Sequence, residues 1–362
     1  MHELFVIAPP GLEAVCATEL RTLGAGDVRP AEGGVACRGG LPELVRIHVG
    51  ARIASRVLLR LWEGPLDAFR RRVAEVDFGA VLAPGVPFAV EVTGGGSRPF
   101  ELSRPVEEAL RRRVPGARPA GGGEPAQTFA VRLAAGTVTL SADATGEHLH
   151  LRGYRQETGM APLRENLAAG ILALAGWTGD TVLQDPMCGS GTFLIEGALV
   201  ALRRAPGLER SFACERWPSL PPETLASARA ELRSGERAAP PAPIVGSDRN
   251  AGALGVARRN AQRAGVLAHL RLARADATRV EPVDGPGLLV TNPPYGKRVG
   301  EERELVDLYR TFGRQLRDRF AGWTAAVLVP DRRLEAALDL PGATAFALRN
   351  GGLPTRLLVA RL

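Results

Sequence analysis

The sequence predicts an α/β protein in which a mostly parallel sheet with an antiparallel C-terminal edge follows a smaller α+β region. Beyond residue 153, short apolar runs alternate with segments of helical periodicity, as in consecutive βαβ units. The last two apolar runs, 343–349 and 356–362, flank Asn350-Gly351-Gly352, and a tight turn of this kind joins antiparallel strands. Before residue 153, strands and helices follow each other in shorter units, which predicts the α+β region.

In residues 1–152, alternating apolar residues predict strands, and a spacing of three to four predicts helices. The predicted strands are 4–7, 33–39, 53–62, 87–93, 129–133 and 137–141, and the predicted helices are 12–23, 41–49 and one that ends in Arg111-Arg112-Arg113. Ser103 is the expected N-cap of this third helix, with Pro105 in its first turn.

An arginine cluster lies in and around this third helix and the glycine-rich segments beside it. Its members are Arg98, Arg104, Arg111, Arg112, Arg113 and Arg118. A guanidinium group binds oxyanions through two parallel hydrogen bonds, so the cluster suits contacts with the phosphates of RNA. The alternative is a solvated helix end whose positive charges compensate the helix dipole.

After residue 153 the pattern predicts parallel βαβ units with an insertion at 203–243. The predicted helices are 163–174, 192–203, 251–264 and 302–320, and the predicted strands are 181–185, 244–247, 270–273, 288–291 and 325–329, besides the antiparallel pair. Helices on both faces leave the carboxyl ends of the strands open for ligands.

The first of these strands ends at Asp185 and continues into Pro186-Met187-Cys188-Gly189-Ser190-Gly191-Thr192. Gly189 and Gly191 allow the backbone to approach a ligand closely, as in the first turn of a Rossmann-like fold. Leu194 replaces the third glycine of the dinucleotide-binding sequence G-x-G-x-x-G. Because the Asp185 carboxylate would repel a pyrophosphate, the loop favours a cationic cofactor without phosphate, S-adenosylmethionine, over NAD.

Two further acids follow the next two strands. Asp248 ends the second strand, where a carboxylate is positioned to hold ribose hydroxyls. Asp276 follows the third strand and could accept a hydrogen bond from the amino group of adenine. Each acid could instead be a helix cap. Acids at three successive strand ends favour the cofactor site.

The strand at 288–291 ends in Thr291-Asn292-Pro293-Pro294-Tyr295-Gly296, which places an amide and a flat aromatic ring at the open edge of the sheet. The lone pair of an aromatic exocyclic amine is delocalised into its ring. Hydrogen bonds from the amine to two fixed acceptors would direct that lone pair towards a methyl donor. The sequence therefore predicts methylation of an amine, with no metal and no covalent intermediate.

Composition gives weaker indications. The formal charge of +7 suits a polyanionic partner, although Lys297 is the only lysine and the heavy use of arginine indicates a compositional bias. No apolar run reaches about 18 residues and the N-terminus lacks signal-peptide features, so a cytoplasmic protein without membrane contact is expected. The scattered cysteines, Cys16, Cys37, Cys188 and Cys214, predict neither a metal site nor disulfides.

Together, the sequences at 185–192 and 292–296 resemble those of class I methyltransferases, in particular the THUMP-containing guanine-N2 methyltransferases of bacterial 23S ribosomal RNA. The resemblance runs the whole length of the chain. It is carried further by Pro10-Gly11-Leu12-Glu13, Gly33-Gly34-Val35, Leu151-Arg152-Gly153-Tyr154-Arg155, Ala161-Pro162-Leu163-Arg164-Glu165, Arg204-Ala205-Pro206-Gly207-Leu208 and Arg349-Asn350-Gly351. It implies a ferredoxin-like part at 1–45, a THUMP RNA-binding domain at 46–152 and an S-adenosylmethionine-dependent methyltransferase domain at 153–362.

The resemblance also implies roles for the cofactor-binding residues. Asp185, Gly189, Gly191 and Thr192 would line the methionine part of S-adenosylmethionine. The segment containing Pro162 and Leu163 would close over it, Asp248 would hold the ribose, and Asp276 would hold the adenine amine. Cofactor contacts are implied further for Pro186, Met187, Cys188, Arg249, Ala277 and Asn292.

The implied catalytic residues are Asn292, Pro293, Pro294 and Tyr295. Asn292 and the carbonyl of Pro293 would accept hydrogen bonds from the amino group of guanine, and Tyr295 would stack on the base. Arg155 joins the arginines with an implied RNA contact.

Other functions stay open. Asn-Pro-Pro-Tyr serves amines generally, so adenine-N6 or glutamine methylation are alternatives, and transfer RNA could replace 23S ribosomal RNA as substrate. An alternative of a different class is an RNA-binding assembly factor with a vestigial catalytic fold. Intact sequences at both the cofactor site and the amine site count against it.

Overall fold

The structure, a computed structural model, describes residues 1–94, 99–157, 163–295 and 302–362. Within these ranges it contains fourteen strands and ten α-helices. The strands are β1 (His2–Ile7), β2 (Gly26–Ala31), β3 (Gly34–Gly39), β4 (Arg56–Pro65), β5 (Phe88–Thr93), β6 (Gln127–Ala134), β7 (Thr137–Asp143), β8 (Val182–Asp185), β9 (Ile244–Asp248), β10 (Leu270–Arg274), β11 (Gly287–Thr291), β12 (Thr324–Val329), β13 (Thr344–Asn350) and β14 (Leu353–Arg361). The helices are α1 (Glu13–Thr22), α2 (Leu41–Gly50), α3 (Leu66–Val73), α4 (Pro99–Arg113), α5 (Glu165–Leu174), α6 (Thr192–Ala201), α7 (Pro222–Ser234), α8 (Ala251–Arg263), α9 (Glu302–Arg319) and α10 (Arg332–Leu338).

The chain forms two compact units. The N-terminal unit comprises Met1–Ala8, Ala17–Leu149 and Gly207–Glu231, and the C-terminal unit comprises Pro9–Cys16, His150–Pro206 and Leu232–Leu362. The division into domains at 1–45, 46–152 and 153–362 stays a prediction. The units depart from it at Pro9–Cys16, at residues 150–152 and at Gly207–Glu231.

A seven-stranded sheet organises the described part of the N-terminal unit, in the order β2-β3-β1-β4-β7-β6-β5. Only β5 and β6 are parallel neighbours in it, and the other pairs are antiparallel. In β1, Leu4 and Val6 are buried while Glu3 is exposed, as expected for a strand with one face towards a core.

Helix α4 begins earlier than the sequence predicts. It starts at Pro99, so Ser103 and Pro105 lie inside the helix and the predicted N-cap at Ser103 is wrong. Burial explains the earlier start. Leu102 is 3% exposed, and it lies one turn before the buried Val106 on the same apolar face of the helix. Packing of this extra turn stabilises the helix by more than Pro105 destabilises it through its missing backbone N–H.

The predicted insertion packs largely within the N-terminal unit, through Gly207–Glu231. The indole nitrogen of Trp217 donates to Oε1 of Gln127 at 2.7 Å, and both side chains are buried. The backbone N–H of Cys214 donates to the carbonyl of Ala144 at 2.9 Å. Because these bonds join distant parts of the chain, local periodicity does not reveal them.

A second seven-stranded sheet organises the described part of the C-terminal unit, in the order β10-β9-β8-β11-β12-β14-β13. The first five strands are parallel, and β14 is antiparallel to both β12 and β13. This confirms the predicted fold class. The chain runs outward from β8 to β10 and returns to the other side of β8 at β11, so the strand order reverses there. Ligands bind at the carboxyl ends of strands beside such a reversal, which is where Asp185 and Asn292 lie.

Gly313 of α9 permits a close approach to α10. A Cβ atom at this position would lie 1.8 Å from the backbone carbonyl oxygen of Leu338. We expect Gly313→Ala to lower the free energy of unfolding by about 2 kcal/mol, because backbone must move, even though alanine favours helices. The matched control is Gly255→Ala in α8, where the new Cβ would meet only the end of the Arg259 side chain at 3.4 Å. Chemical denaturation that shows equal effects of both substitutions would contradict the packing explanation.

Candidate active site

A cavity of about 420 Å³ lies in the C-terminal unit at the carboxyl ends of β8, β9 and β11. It is lined by Leu163, Asp185, Pro186, Met187, Cys188, Gly189, Ser190, Thr192, Phe193, Asp248, Arg249, Asn250, Ala253, Val256, Asp276, Ala277, Asn292, Pro293, Pro294 and Leu308. Of the predicted cofactor-binding residues that the structure describes, all except Gly191 line it. Pro162 lies outside the described residues. The roles of the lining residues stay predictions.

The loop between β8 and α6 owes its shape to two glycines with positive φ, Gly189 at 52° and Gly191 at 83°. A Cβ atom on Gly189 would meet nothing within 4 Å, so this part of the backbone is open to a ligand. A Cβ atom on Gly191 would lie 3.1 Å from the Cβ of Ala257 in α8. Gly191 therefore shapes the loop by its conformation and its close approach to α8, away from the cavity wall.

Asp185 is a buried carboxylate at the end of β8. Its Oδ1 accepts a hydrogen bond from the backbone N–H of Met187 at 3.2 Å. Burial raises the pKa of Asp185 to about 7, and the negative charge of Asp248 adds to the rise. The hydrogen bond from the backbone N–H of Met187 opposes it. A buried carboxyl of this kind gains most from a cation placed beside it.

Asp248 ties the end of β9 to the glycine loop. Its Oδ2 accepts from the backbone N–H of Gly189 at 3.0 Å, and its Oδ1 accepts from that of Asn250 at 2.8 Å. The N-cap of α8 is Asn250, whose side chain accepts from the backbone of Gly252 and Ala253. The interpretation of Asp248 as the helix cap is therefore wrong.

Asp276 lines the cavity and also caps a 3-10 turn, Ala277–Arg279. Its Oδ1 accepts from both the backbone N–H and the hydroxyl of Thr278, at 2.9 and 2.8 Å. These bonds hold the pKa of Asp276 below its usual value, so the exposed carboxylate stays ionised. Asp276 can cap the turn and also accept a hydrogen bond from a ligand, because its Oδ2 accepts no hydrogen bond from the described residues.

Asn292, Pro293 and Pro294 line the cavity, and Tyr295 does not. The Tyr295 hydroxyl donates a hydrogen bond to Oδ1 of Asn292. Burial raises the pKa of Tyr295 to about 12, so the hydroxyl keeps its proton. The hydroxyl of Tyr309 in α9 lies 3.4 Å from the carbonyl of Pro294. The predicted stacking of Tyr295 on a base stays a prediction.

Asn260, a residue that sequence reasoning missed, holds the glycine loop from α8. It is fully buried, and its Nδ2 donates to the carbonyls of Ser190 and Glu157, both at 3.2 Å. Its Oδ1 accepts from Arg263 at 2.8 Å. Asn260 thus connects the glycine loop with the backbone of Glu157.

Several lining residues were also missed: Ser190, Phe193, Asn250, Ala253, Val256 and Leu308. Asn250, Ala253 and Val256 are three residues apart, so they share one face at the start of α8. Their spacing could have identified them once Asp248 was placed at the end of a strand.

The predicted RNA-binding arginines differ in their surroundings. Arg112 is exposed, while Arg104 pairs with Glu108 at 2.8 Å and Arg111 with Glu107 at 3.7 Å. Arg113 donates from Nε to the carbonyl of Ala74 at 2.9 Å. All four are exposed along α4, and Arg98 lies outside the described residues.

Arg155, for which RNA contact stays a prediction, has surroundings that differ from those of the arginines on α4. Its side chain is 11% exposed and pairs at 3.1 Å with Glu165, which is itself buried. Its Nη1 donates to the carbonyl of Leu163 at 2.9 Å. A guanidinium held between a buried carboxylate and a backbone carbonyl stabilises the start of α5.

Helix α3, which was not predicted, adds arginines beside α4. Arg70, Arg71 and Arg72 are exposed in its last turn. The bond from Arg113 to Ala74 shows that the C-terminal ends of α3 and α4 lie together. Two neighbouring helix ends thus present one arginine-rich surface.

Comparison with known families decides the assignment of the C-terminal region. The model of the RMKL-like methyltransferase domain matches residues 152–358. The chain belongs to the RMKL-like methyltransferase family. The model of the RlmL ferredoxin-like domain matches residues 3–58, in the N-terminal region.

Relatives of this RMKL-like methyltransferase match along nearly its whole length. The chain is 34% identical to the slr0064 protein of Synechocystis sp. over 98% of this chain and 95% of that protein. It is 35% identical to the ribosomal RNA large subunit methyltransferase K/L of Methylococcus capsulatus, over 99% of this chain and 51% of that protein. The chain thus spans about half the length of the K/L relative.

The crystal structure of SMU.472 complexed with SAH has the same architecture. It is 27% identical in sequence and covers 99% of this chain and 98% of its own, with a TM-score of 0.88. Within the part of this RMKL-like methyltransferase that the structure describes, no group of side chains is arranged to hold a metal ion. Nor does any helix there have the length and apolar character needed to span a membrane.

Proposed function

We propose that this chain transfers a methyl group from S-adenosylmethionine to the exocyclic N2 amine of a guanosine in 23S ribosomal RNA. The observation that carries the proposal is that Asp185 and Asn292 line one cavity where the strand order reverses. Membership of the methyltransferase family and the name of the K/L relative support it. An enzyme with this substrate acts in the cytoplasm.

The lining residues fit S-adenosylmethionine. Asp185 is buried and has no cationic side chain paired with it among the described residues, so it can accept the positive methionine end of the cofactor. Asp248 uses one lone pair of each oxygen for the loop, which leaves the others for two ribose hydroxyls. Oδ2 of Asp276 can accept from the adenine amine.

Held by Asp185, Asp248 and Asp276, the cofactor would supply a methyl carbon on a positively charged sulfur as the electrophile for the lone pair of the target amine. Oδ1 of Asn292 and the carbonyl of Pro293 accept hydrogen bonds from the amine. They thereby turn its lone pair out of conjugation with the ring and aim it into the cavity. Two fixed acceptors act chiefly by positioning, which can lower a barrier substantially without a charged catalytic group.

The N-terminal unit would bind the RNA. The exposed arginines Arg104, Arg111, Arg112 and Arg113 of α4 and Arg70 and Arg71 of α3 supply guanidinium groups for phosphate contacts. Such contacts hold an RNA without reading its sequence. The target guanosine must leave its stack to reach a cavity lined by Asn292.

The pH dependence of cofactor affinity follows from Asp185. Its pKa of about 7 in the free protein means that the carboxyl must lose a proton before it binds a cation. We expect the affinity for S-adenosylmethionine to rise about tenfold between pH 6 and pH 8, because the fraction of carboxylate rises over this range. Calorimetry at several pH values measures it. Asp185→Asn should bind weakly with little pH dependence, and a flat wild-type profile would argue against the role of Asp185.

The test of the substrate is mass mapping of ribosomal and transfer RNA from cells that lack this chain. We expect one N2-methylguanosine to disappear from 23S ribosomal RNA and to return when the chain is restored. Loss of a methyl group from transfer RNA, or from an adenosine, would favour the alternative substrates instead. An unchanged methylation pattern would contradict the proposal.

A further inference from the structure

Tyr295 differs from its three neighbours in the Asn-Pro-Pro-Tyr sequence, because it is not part of the cavity wall. Its hydroxyl is directed to Asn292, where it donates a hydrogen bond to Oδ1. The oxygen atom that would receive the target amine therefore already accepts one hydrogen bond from the protein.

Asn350, at the carboxyl end of β13, reaches the same hydroxyl. Its side chain is 5% exposed and lies close enough to the Tyr295 hydroxyl to lower the pKa of that hydroxyl. Its Oδ1 accepts no hydrogen bond within the described part of the chain, and its Nδ2 is a group that can donate to the tyrosine oxygen. The tyrosine hydroxyl thus donates to Asn292 and has the Asn350 amide beside it.

The orientation of an asparagine amide depends on such bonds. The two ends of the amide have nearly the same shape, so packing alone does not decide which one faces the cavity. If the NH2 group faced the target amine, two donors would meet and the amine would lose an acceptor. A carbonyl oxygen has two lone pairs, so Oδ1 can accept from Tyr295 and from the amine at once.

We propose that Tyr295 is a positioning residue whose hydroxyl, held by Asn350, fixes the Asn292 side chain with its oxygen towards the target amine. This inference rests on the proposed methyl transfer to an amine. It assigns the hydroxyl a function of its own, separate from any contact between the tyrosine ring and the target base.

Tyr295→Phe tests this directly, because it keeps the ring and removes only the hydroxyl. We expect kcat to fall about tenfold, while the KM for RNA and the affinity for S-adenosylmethionine stay within about twofold of wild type. Asn350→Asp should lower kcat to a similar extent, since the new carboxylate would draw the hydroxyl proton away from Asn292. Because both residues act through one chain of bonds, the double variant should lose little more than Tyr295→Phe alone.

Wild-type kcat in Tyr295→Phe would overturn the inference and leave only the ring with a role. A raised KM with unchanged kcat would overturn it as well, because the hydroxyl would then serve RNA binding. Additive losses in the double variant would show that Asn350 acts elsewhere. Methyl transfer by the wild-type protein in the same assay separates the two proposals. If the wild-type protein methylates RNA and Tyr295→Phe is equally active, only this inference is wrong. If the wild-type protein does not methylate RNA, both this inference and the proposed function are wrong.

Discussion

Replacement of Asn292 by alanine will abolish measurable methyl transfer and leave the affinity for S-adenosylmethionine within a few-fold of wild type. Asn292 lines the cavity just after β11, and alanine removes the side-chain acceptor from which the target amine takes its orientation. Loss of a positioned acceptor affects the transition state more than the bound cofactor. Single-turnover kinetics with RNA, together with calorimetry of cofactor binding, measure the two effects.

Two controls sharpen this prediction. Asn292→Leu is close in size but lacks an acceptor, so it should be as inactive as Asn292→Ala. Asn292→Asp retains acceptor oxygens and should keep more activity than either. If Asn292→Ala loses cofactor affinity in proportion to its rate, Asn292 is part of the cofactor site alone and the proposed role is wrong.

Reversal of charge at Arg111, Arg112 and Arg113, each to glutamate, will weaken RNA binding about a hundredfold at moderate salt and leave cofactor affinity unchanged. Loss of three phosphate contacts should also reduce the slope of log K against log salt by about 2 to 3. The matched control replaces Arg310, Arg314 and Arg332 by glutamate. These arginines are exposed on α9 and α10, and their replacement changes the net charge by the same amount. Filter binding across a salt series measures both variants.

Equal losses in the two variants would mean that net charge, and not the surface formed by α3 and α4, governs binding. Unchanged RNA affinity in the first variant would leave these arginines as compensation for the helix dipole. Since Arg113 also holds the carbonyl of Ala74, thermal unfolding of the variant shows whether any loss comes from folding.

The sheet of the C-terminal unit and the acids at its strand ends could be predicted because their signals are local. An apolar run followed by Asp185 or Asp248 indicates a buried strand and its end without reference to the rest of the chain. The resemblance to class I methyltransferases then indicates most of the other residues that line the cavity, but not six of them. The missed lining residues belong mostly to helix faces, where the signal is a spacing and not a motif.

The features that differ from a local interpretation of the sequence have physical causes that act over longer distances or through burial. Ser103 carries a good capping signal, but burial of Leu102 extends α4 past it. Arg155 is of a type that is usually exposed, and only its pairing with the buried Glu165 explains why it is not. Helix α3 has just Phe69 and Val73 buried, which is too little for a periodic pattern.

The sequence alone does not predict contacts between segments that are distant along the chain. Trp217 and Gln127 lie 90 residues apart, so the packing of the insertion on the N-terminal unit has no local signal. The same is true of the proximity of Asn350, at the end of β13, to Tyr295, which follows β11. Asn350 and Tyr295 become neighbours only in the folded protein.

Nucleoside analysis of 23S ribosomal RNA methylated in vitro tests the central claim most directly. Unmodified RNA is incubated with the purified chain and S-adenosylmethionine that carries an isotopically labelled methyl group, then digested to nucleosides and separated by mass spectrometry. We expect the label in N2-methylguanosine, and no label with Asn292→Ala. Label in N6-methyladenosine, or no label in any nucleoside with the wild-type chain, would contradict the proposed guanine-N2 methylation.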